Sequence, residues 1–222
     1  MPILSDYPIS SVVIAGVGGF GLELFDYLEE NATQGGPVVA GFIDDTPGIS
    51  VPEGIDRPLL GDIGGFSPRP GQVVVVAIGS VKGRMAVLSK LWGNGVHTPA
   101  FISSSAMVSP GAELGNAVVA CPFSIINRNA QLGIGVVINV HCSVGHGASI
   151  GDYTVLSPYA ALNGDAAVGG RCFLGTRATI YPRIRIGDDC VVDSHTGVRA
   201  NVGEKKIISS RSPYQVNALR LL

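Results

Sequence analysis

Residues 132–156 read LGIGVVINVHCSVGHGASIGDYTVL, with an aliphatic side chain at Leu132, Ile138, Val144, Ile150 and Leu156. A step of six fits neither the 3.6-residue period of a helix nor the two-residue alternation of an ordinary strand. Extended both ways, the step runs from Ile102 to Val198 without slipping; sixteen of its seventeen positions are Ile, Leu or Val, and Ala120 is the exception. The fourth residue after each aliphatic is nearly always small, as at Ala130, Cys142, Ala148 and Ala160. The residue directly after it is Gly at 115, 133, 145, 151, 169, 175 and 187 and Asn at 127, 139 and 163. These are the residue types most tolerant of positive φ, so the left-handed corner conformation is expected at that slot.

This is the hexapeptide pattern of a parallel β-helix. Each hexad forms one flat side of a triangular coil, with its aliphatic residue pointing to the axis and its small residue packed near the corner. Three hexads close a turn, so residues eighteen apart stack at the ~4.8 Å spacing of paired strands. Seventeen hexads make between five and six turns. The motif is associated with a left-handed coil, against the usual right-handed crossover. Cys142, Cys172 and Cys190 fall in the small slot and Cys121 just after Ala120; all four read as compact apolar filler.

Residues 11–100 have a different rhythm. Val12–Ala15, Val38–Ile43 and Val73–Ile78 read as buried strands, with helices from the glycine loop to about Glu30 and over Lys82–Trp92. A short strand near Pro99–Ile102 leads into the repeat. The loop Gly16-Val17-Gly18-Gly19-Phe20-Gly21 matches G-x-G-x-x-G between a strand and a helix, and Asp44-Asp45 ends the second strand. About 90 residues hold only one mononucleotide half of such a fold. Gly16, Gly18 and Gly21 would bring backbone amides to a pyrophosphate, Asp44 or Asp45 would accept hydrogen bonds from ribose or base, and Gly79 ends the third strand beside them. The competing reading is a tight turn with no ligand. The expected fold is α/β plus all-β. A small N-terminal Rossmann-like parallel domain covers 1–100, a left-handed parallel β-helix 101–203, and a tail 204–222.

Composition sets the bounds. The chain has 222 residues, 46% hydrophobic and only 14% charged, which excludes disorder. No aliphatic run is long enough to span a membrane, and the start MPILSDYPISS lacks the character of a signal peptide, so a cytoplasmic protein is expected. Net charge is −2, with no electrostatic case for nucleic acid. The charge is nevertheless uneven: 5 Lys+Arg against 10 Asp+Glu in residues 1–100, then 10 against 7, which suits a polyanionic ligand on the second half.

Four histidines remain. His97 precedes the repeat. His141 and His146 sit off the axial slot, on the outer wall or corners, free to touch a ligand. Their spacing of five resembles that of zinc-binding carbonic anhydrases built on this β-helix, and zinc would need a third ligand; the resemblance implies that ligand two coils before His141, where Ser105 stands, and His195 is three turns away, so no metal is expected. General base is the role left, since an ordinary imidazole takes a proton near neutral pH. One coil above His146 is Gly164, whose N–H would face a thioester oxygen as that oxygen gains charge.

A glycine loop on a small α/β domain, joined to hexapeptide repeats with a wall histidine, resembles the NeuD/PglD-like sugar acyltransferases. The matching segments are GVGGFG (16–21), FIDD (42–45), VAIGSVKGR (76–84) and GVVINVHCSVGHGASIG (135–151). The resemblance implies that His146 is the catalytic histidine, that Asn139 lies near the acceptor, and that the Gly164 amide contacts the acetyl carbonyl. It also implies a homotrimer, with acetyl-CoA between neighbouring coils and a nucleotide-linked amino-sugar held by the small domain. Gly147 stands where relatives commonly carry Asp or Glu, and Val155 where they carry a second histidine; His141 is then a candidate to add polarity beside the acceptor. The expected reaction is N-acetylation of a UDP-, GDP- or dTDP-linked 4-amino-deoxy-sugar for surface glycan synthesis. O-acetylation of the sialic acid type and a catalytically silent trimeric scaffold are the alternatives.

Overall fold

A computed structural model describes residues 3–4 and 8–210. The chain opens with β1 (Ile3–Leu4), β2 (Ser11–Ala15), α1 (Gly19–Thr33), β3 (Val38–Ile43), β4 (Gln72–Val76), α2 (Val81–Gly93) and β5 (Ala100–Ile102). β2 lies between β3 and β4 in a parallel three-stranded sheet. Its strands are buried on both faces, as the runs SVVIA and QVVVV require. No helix joins β3 to β4. The segment between them instead lays Pro58–Gly61 along the edge of β3, with a bridge between Phe42 and Leu59.

From β5 onward the chain winds a parallel β-solenoid of about six turns. Two-residue strands recur on three faces, and each pairs with the strand eighteen residues on: Ile126 with Val144, Val144 with Leu162, Leu162 with Ile180. The first face carries β5, Val119–Ala120, Val137–Ile138 and Val155–Leu156; the second Ile125–Ile126, Ser143–Val144 and Ala161–Leu162; the third Glu113–Leu114, Gln131–Leu132 and Ser149–Ile150. The axial aliphatics and the small residues four places later form one continuous core, which includes Cys142, Cys172 and Cys190. Burial pushes the Cys142 thiol up to about 12, so it stays an uncharged filler.

Two details of the repeat differ from the expectation. Positive φ is found three residues after the axial aliphatic, not one: every sixth residue from Ala117 to His195 adopts it, and the glycines at 115, 133, 145, 151, 169, 175 and 187 do not. Those glycines answer to a different force. Stacked coils approach so closely there that a Cβ on Gly175 would lie 2.6 Å from the Ser194 nitrogen, and one on Gly145 2.6 Å from the Asn163 carbonyl carbon. Second, the final coil is two residues short. Val202 bridges to Ile186 and so takes the axial role rather than the small slot, and Ile207–Ile208 pairs with Val191–Val192 as a further rung.

The small domain sits on the first face. Outward side chains there recur every eighteen residues as Phe101, Val119, Val137 and Val155, and they share a core with Val12, Ile14, Leu24, Phe42 and Val75; Cys121 is buried in the same layer. At the edge of this contact Arg84 of α2 is wholly buried. Its guanidinium donates to the carbonyls of Val76, Gly135 and Ala117, tying β4 to two successive coils. Burial pulls the guanidinium well down from its ordinary value, to about 9. Gly135 has no room for a Cβ, which would stand 2.9 Å from the Tyr153 ring and 3.0 Å from Leu88 of α2.

Arg84→Met is expected to lower stability by about 2–4 kcal/mol, because three buried carbonyls lose their donor; urea unfolding of the full chain measures it. Gly175→Ala is expected to cost about 1–3 kcal/mol by overpacking two backbones that cannot part. A Gly175→Ala midpoint equal to the parent's would show that the coils can spread.

Candidate active site

His146 lies at the corner between the second and third faces, two residues after axial Val144, and its side chain is exposed. Gly164 is its neighbour one coil on: a Cβ built on Gly164 would stand 2.7 Å from both Cε1 and Nε2 of the imidazole. The Gly164 carbonyl is taken by the Arg183 amide at 3.0 Å, whereas its own N–H donates to nothing among the described residues. A basic ring nitrogen and an idle backbone amide therefore share one open corner. One can accept a proton, and the other can hold a developing oxyanion.

Asn139 and His141 lie elsewhere. They follow axial Ile138, at the corner between the first and second faces, so the whole second face separates them from His146. Asn139 Oδ1 accepts from the Val140 amide at 2.7 Å. His141 is stacked between Phe123 (centroids 5.1 Å) and Tyr159 (4.7 Å), and the Arg177 guanidinium lies over the Tyr159 ring at 4.9 Å. These four residues are spaced by eighteen, a column that the repeat exposes once the coil period is applied across the corners as well as the axis. Along the third face runs an open groove of ≈ 920 Å³, floored by Gly115, Gly133, Gly151, Gly169 and Gly187. Neither His146 nor Gly164 lines it. The corner has the chemistry and the groove only the volume.

The residues singled out in the small domain meet at the carboxyl edge of its sheet. Gly16 has φ +114° and donates to the Ile43 carbonyl, and Gly21 packs against the Gly16 carbonyl so closely that no Cβ fits. Gly18, Gly19 and Gly79 face open space. The amides of Gly18, Gly19 and Phe20, at the start of α1, find no acceptor among the described residues, which is the arrangement that receives an anion. Both aspartates have work within the chain. Asp44 accepts from the Val17 amide at 2.8 Å and the Thr46 amide at 2.8 Å, and so shapes the glycine loop. Burial works to raise its carboxyl, but hydrogen bonds from Thr46 and Val17 outweigh that and leave it below 3.8. Asp45 accepts from the Ile63 amide and pairs with Lys90 at 2.6 Å; the Lys90 hydrogen bond, foremost, lowers its carboxyl.

No protein-family model matches the chain. No curated protein matches it either. Solved structures do. A histidine-to-asparagine variant of perosamine N-acetyltransferase from Caulobacter crescentus, in complex with CoA and GDP-perosamine, matches with TM-score 0.78 and 28% identity over 96% of this chain and 100% of that one. WeeI from Acinetobacter baumannii matches at TM-score 0.77 and 24% identity, over 90% of this chain and 96% of its own. The acetyltransferase domain of PglB from Neisseria gonorrhoeae matches at 0.78 and 22%, over 88% and 94%. The last two speak for the fold alone. The likeness to the Caulobacter enzyme over nearly the whole chain supports an acetyltransferase of the hexapeptide-repeat class. The resemblance to the NeuD/PglD-like sugar acyltransferases read from the sequence is supported by these likenesses.

Gly164→Ala is expected to keep the fold, since the exposed imidazole can swing aside, but to push His146 away from the amide; a normal unfolding midpoint with lost acetyl transfer is the expected pair of readings. Asp44 and Asp45 have depressed carboxyls when folded. The stability they contribute is therefore present above the unfolded value near 3.9 and is lost as pH falls through the folded values. Asp45→Asn is expected to flatten the acid limb of the urea midpoint measured against pH.

Proposed function

We propose that the protein is an acetyl-CoA-dependent N-acetyltransferase that acts on the amine of a nucleotide-linked 4-amino-deoxy-sugar. The observation that carries this reading is the His146 imidazole packed over Gly164, whose N–H has no acceptor among the described residues, on one open corner. The chemistry of the neighbours supports it: perosamine N-acetyltransferase from Caulobacter crescentus is in complex with CoA and GDP-perosamine, at 28% identity to this chain and at 26% in a second structure. No covalent enzyme intermediate is required. The sugar amine adds to the thioester carbonyl, its proton passes to His146 Nε2, and the Gly164 N–H holds the oxyanion. Collapse then breaks the carbon–sulfur bond, and the thiolate takes the proton from His146. The amides at the start of α1 suit the diphosphate, and Asp44 and Gly79 border the same edge.

Asn139 and His141 cannot reach the His146 of their own chain across the second face. They serve the site if a homotrimer sets the first corner of one coil against the second corner of its neighbour, with acetyl-CoA in the cleft between them. A role in the cytoplasm, in polysaccharide biosynthesis, accompanies this reading.

The test is a thiol-release assay with acetyl-CoA across UDP-, GDP- and dTDP-linked 4-amino-sugars, with hydroxyl acceptors alongside. Turnover with an amino-sugar is expected, and His146→Ala is expected to lower kcat by about 10²–10⁴-fold. A loss of only a few-fold would sink the base assignment. An absence of saturable acetyl-CoA binding by calorimetry would leave only a scaffold.

A further inference from the structure

A general base whose ring is free to turn is a poor base, because the nitrogen facing the substrate has to be the unprotonated one. In this chain nothing among the described residues holds the His146 ring through a hydrogen bond, and both its sequence neighbours, Gly145 and Gly147, lack side chains. The charged groups on the same corner are Arg128 on the coil before, Asp165 on the coil after, Arg183 one coil further, and Arg199 beyond it, over the Tyr181 ring.

Asp165 stands apart from the arginines in where its side chain goes. It follows Gly164, adopts φ +59° at the corner, and its amide donates to the His146 carbonyl at 2.9 Å. Its carboxylate folds back over Gly147: a Cβ on Gly147 would collide with Oδ1 and lie 3.5 Å from the carboxyl carbon. The space that a side chain after His146 would use is thus filled by a carboxylate from the next coil. No ion pair or hydrogen bond reaches that carboxylate among the described residues, Arg128 and Arg183 included. In this structure the carboxylate lies over Gly147 and makes no ion pair or hydrogen bond with the His146 ring, so a turn of the exposed imidazole is what would bring a ring N–H to it.

We propose that Asp165 is the positioning residue of His146: once the exposed ring turns toward it, the carboxylate accepts the Nδ1–H, so that Nε2, on the Gly164 side, is left basic for the acceptor amine. When Nε2 takes the proton, the carboxylate faces an imidazolium and holds it until the thiolate leaves. Gly147 is required for this arrangement, since any side chain there would displace the carboxylate.

The inference rests on the acetyltransferase reading, so its test has one arm that needs no activity. Full-length protein with ¹⁵N-labelled histidine, held about two units above the usual imidazole value so that the rings are neutral, reports the His146 tautomer. The Nδ1–H form is expected in the parent, with a return toward the Nε2–H form favoured in water in Asp165→Asn. Asn keeps the left-handed corner at 165, so this variant folds. The second arm is acetyl transfer: Asp165→Asn is expected to lower kcat about ten- to hundredfold at unchanged KM, and Asp165→Glu to recover part of it. An identical tautomer mixture in parent and Asp165→Asn, or a change confined to KM, overturns the proposal. If the parent acetylates no acceptor, the acetyltransferase reading fails and the tautomer comparison alone decides whether Asp165 holds the ring.

Discussion

Everything in the second half of the molecule depends on an eighteen-residue hydrogen-bonded register, in which a strand amide donates to the carbonyl one coil on, as Ser143 does to Ala160 and Asn163 to Ile180. Because the faces do not slip between Ile102 and Val198, any property placed at one slot there is copied upward in a straight column. Axial aliphatics become a core, glycines become contact lines between backbones, and corner side chains become ladders. His146 and Gly164 are neighbours for this reason alone; they are distant in the chain and share no sequence motif.

The small domain uses the same register from outside. Its sheet is apolar, and the outward column Phe101, Val119, Val137 and Val155 offers it a surface of matching character. Arg84 completes the contact in an unusual way, as a buried cation solvated by three carbonyls rather than by a carboxylate. A carboxylate would have needed a side chain on the coil. The corner carbonyls of Ala117 and Gly135 are present already, because the left-handed turn leaves them pointing outward. The Arg84 strut pins the end of β4 to the coil.

Much of this was legible. The hexad phase, the interior cysteines, the three strands and the glycine loop all follow from residue type and spacing. The corner conformation was misread because Gly suggests positive φ, whereas these glycines are dictated by backbone approach, and the left-handed slot tolerates Phe123, His141, Tyr159 and Arg177, which stack on one another. The shortened last coil was missed because Val202 satisfies either slot. The sequence offers Asp44 or Asp45 to a ligand and carries no sign that both bond the chain's own loops.

The sequence by itself determined the coil, its period, its core and the stacking of 146 beneath 164, because a repeat with a constant step converts residue number directly into position. Only the tertiary structure decided which corner each histidine occupies relative to the other, how the small domain covers one face, and that the Asp165 carboxylate turns back over Gly147. Those depend on the direction side chains take at corners and on contacts between elements far apart in sequence, and a periodic pattern carries no term for either.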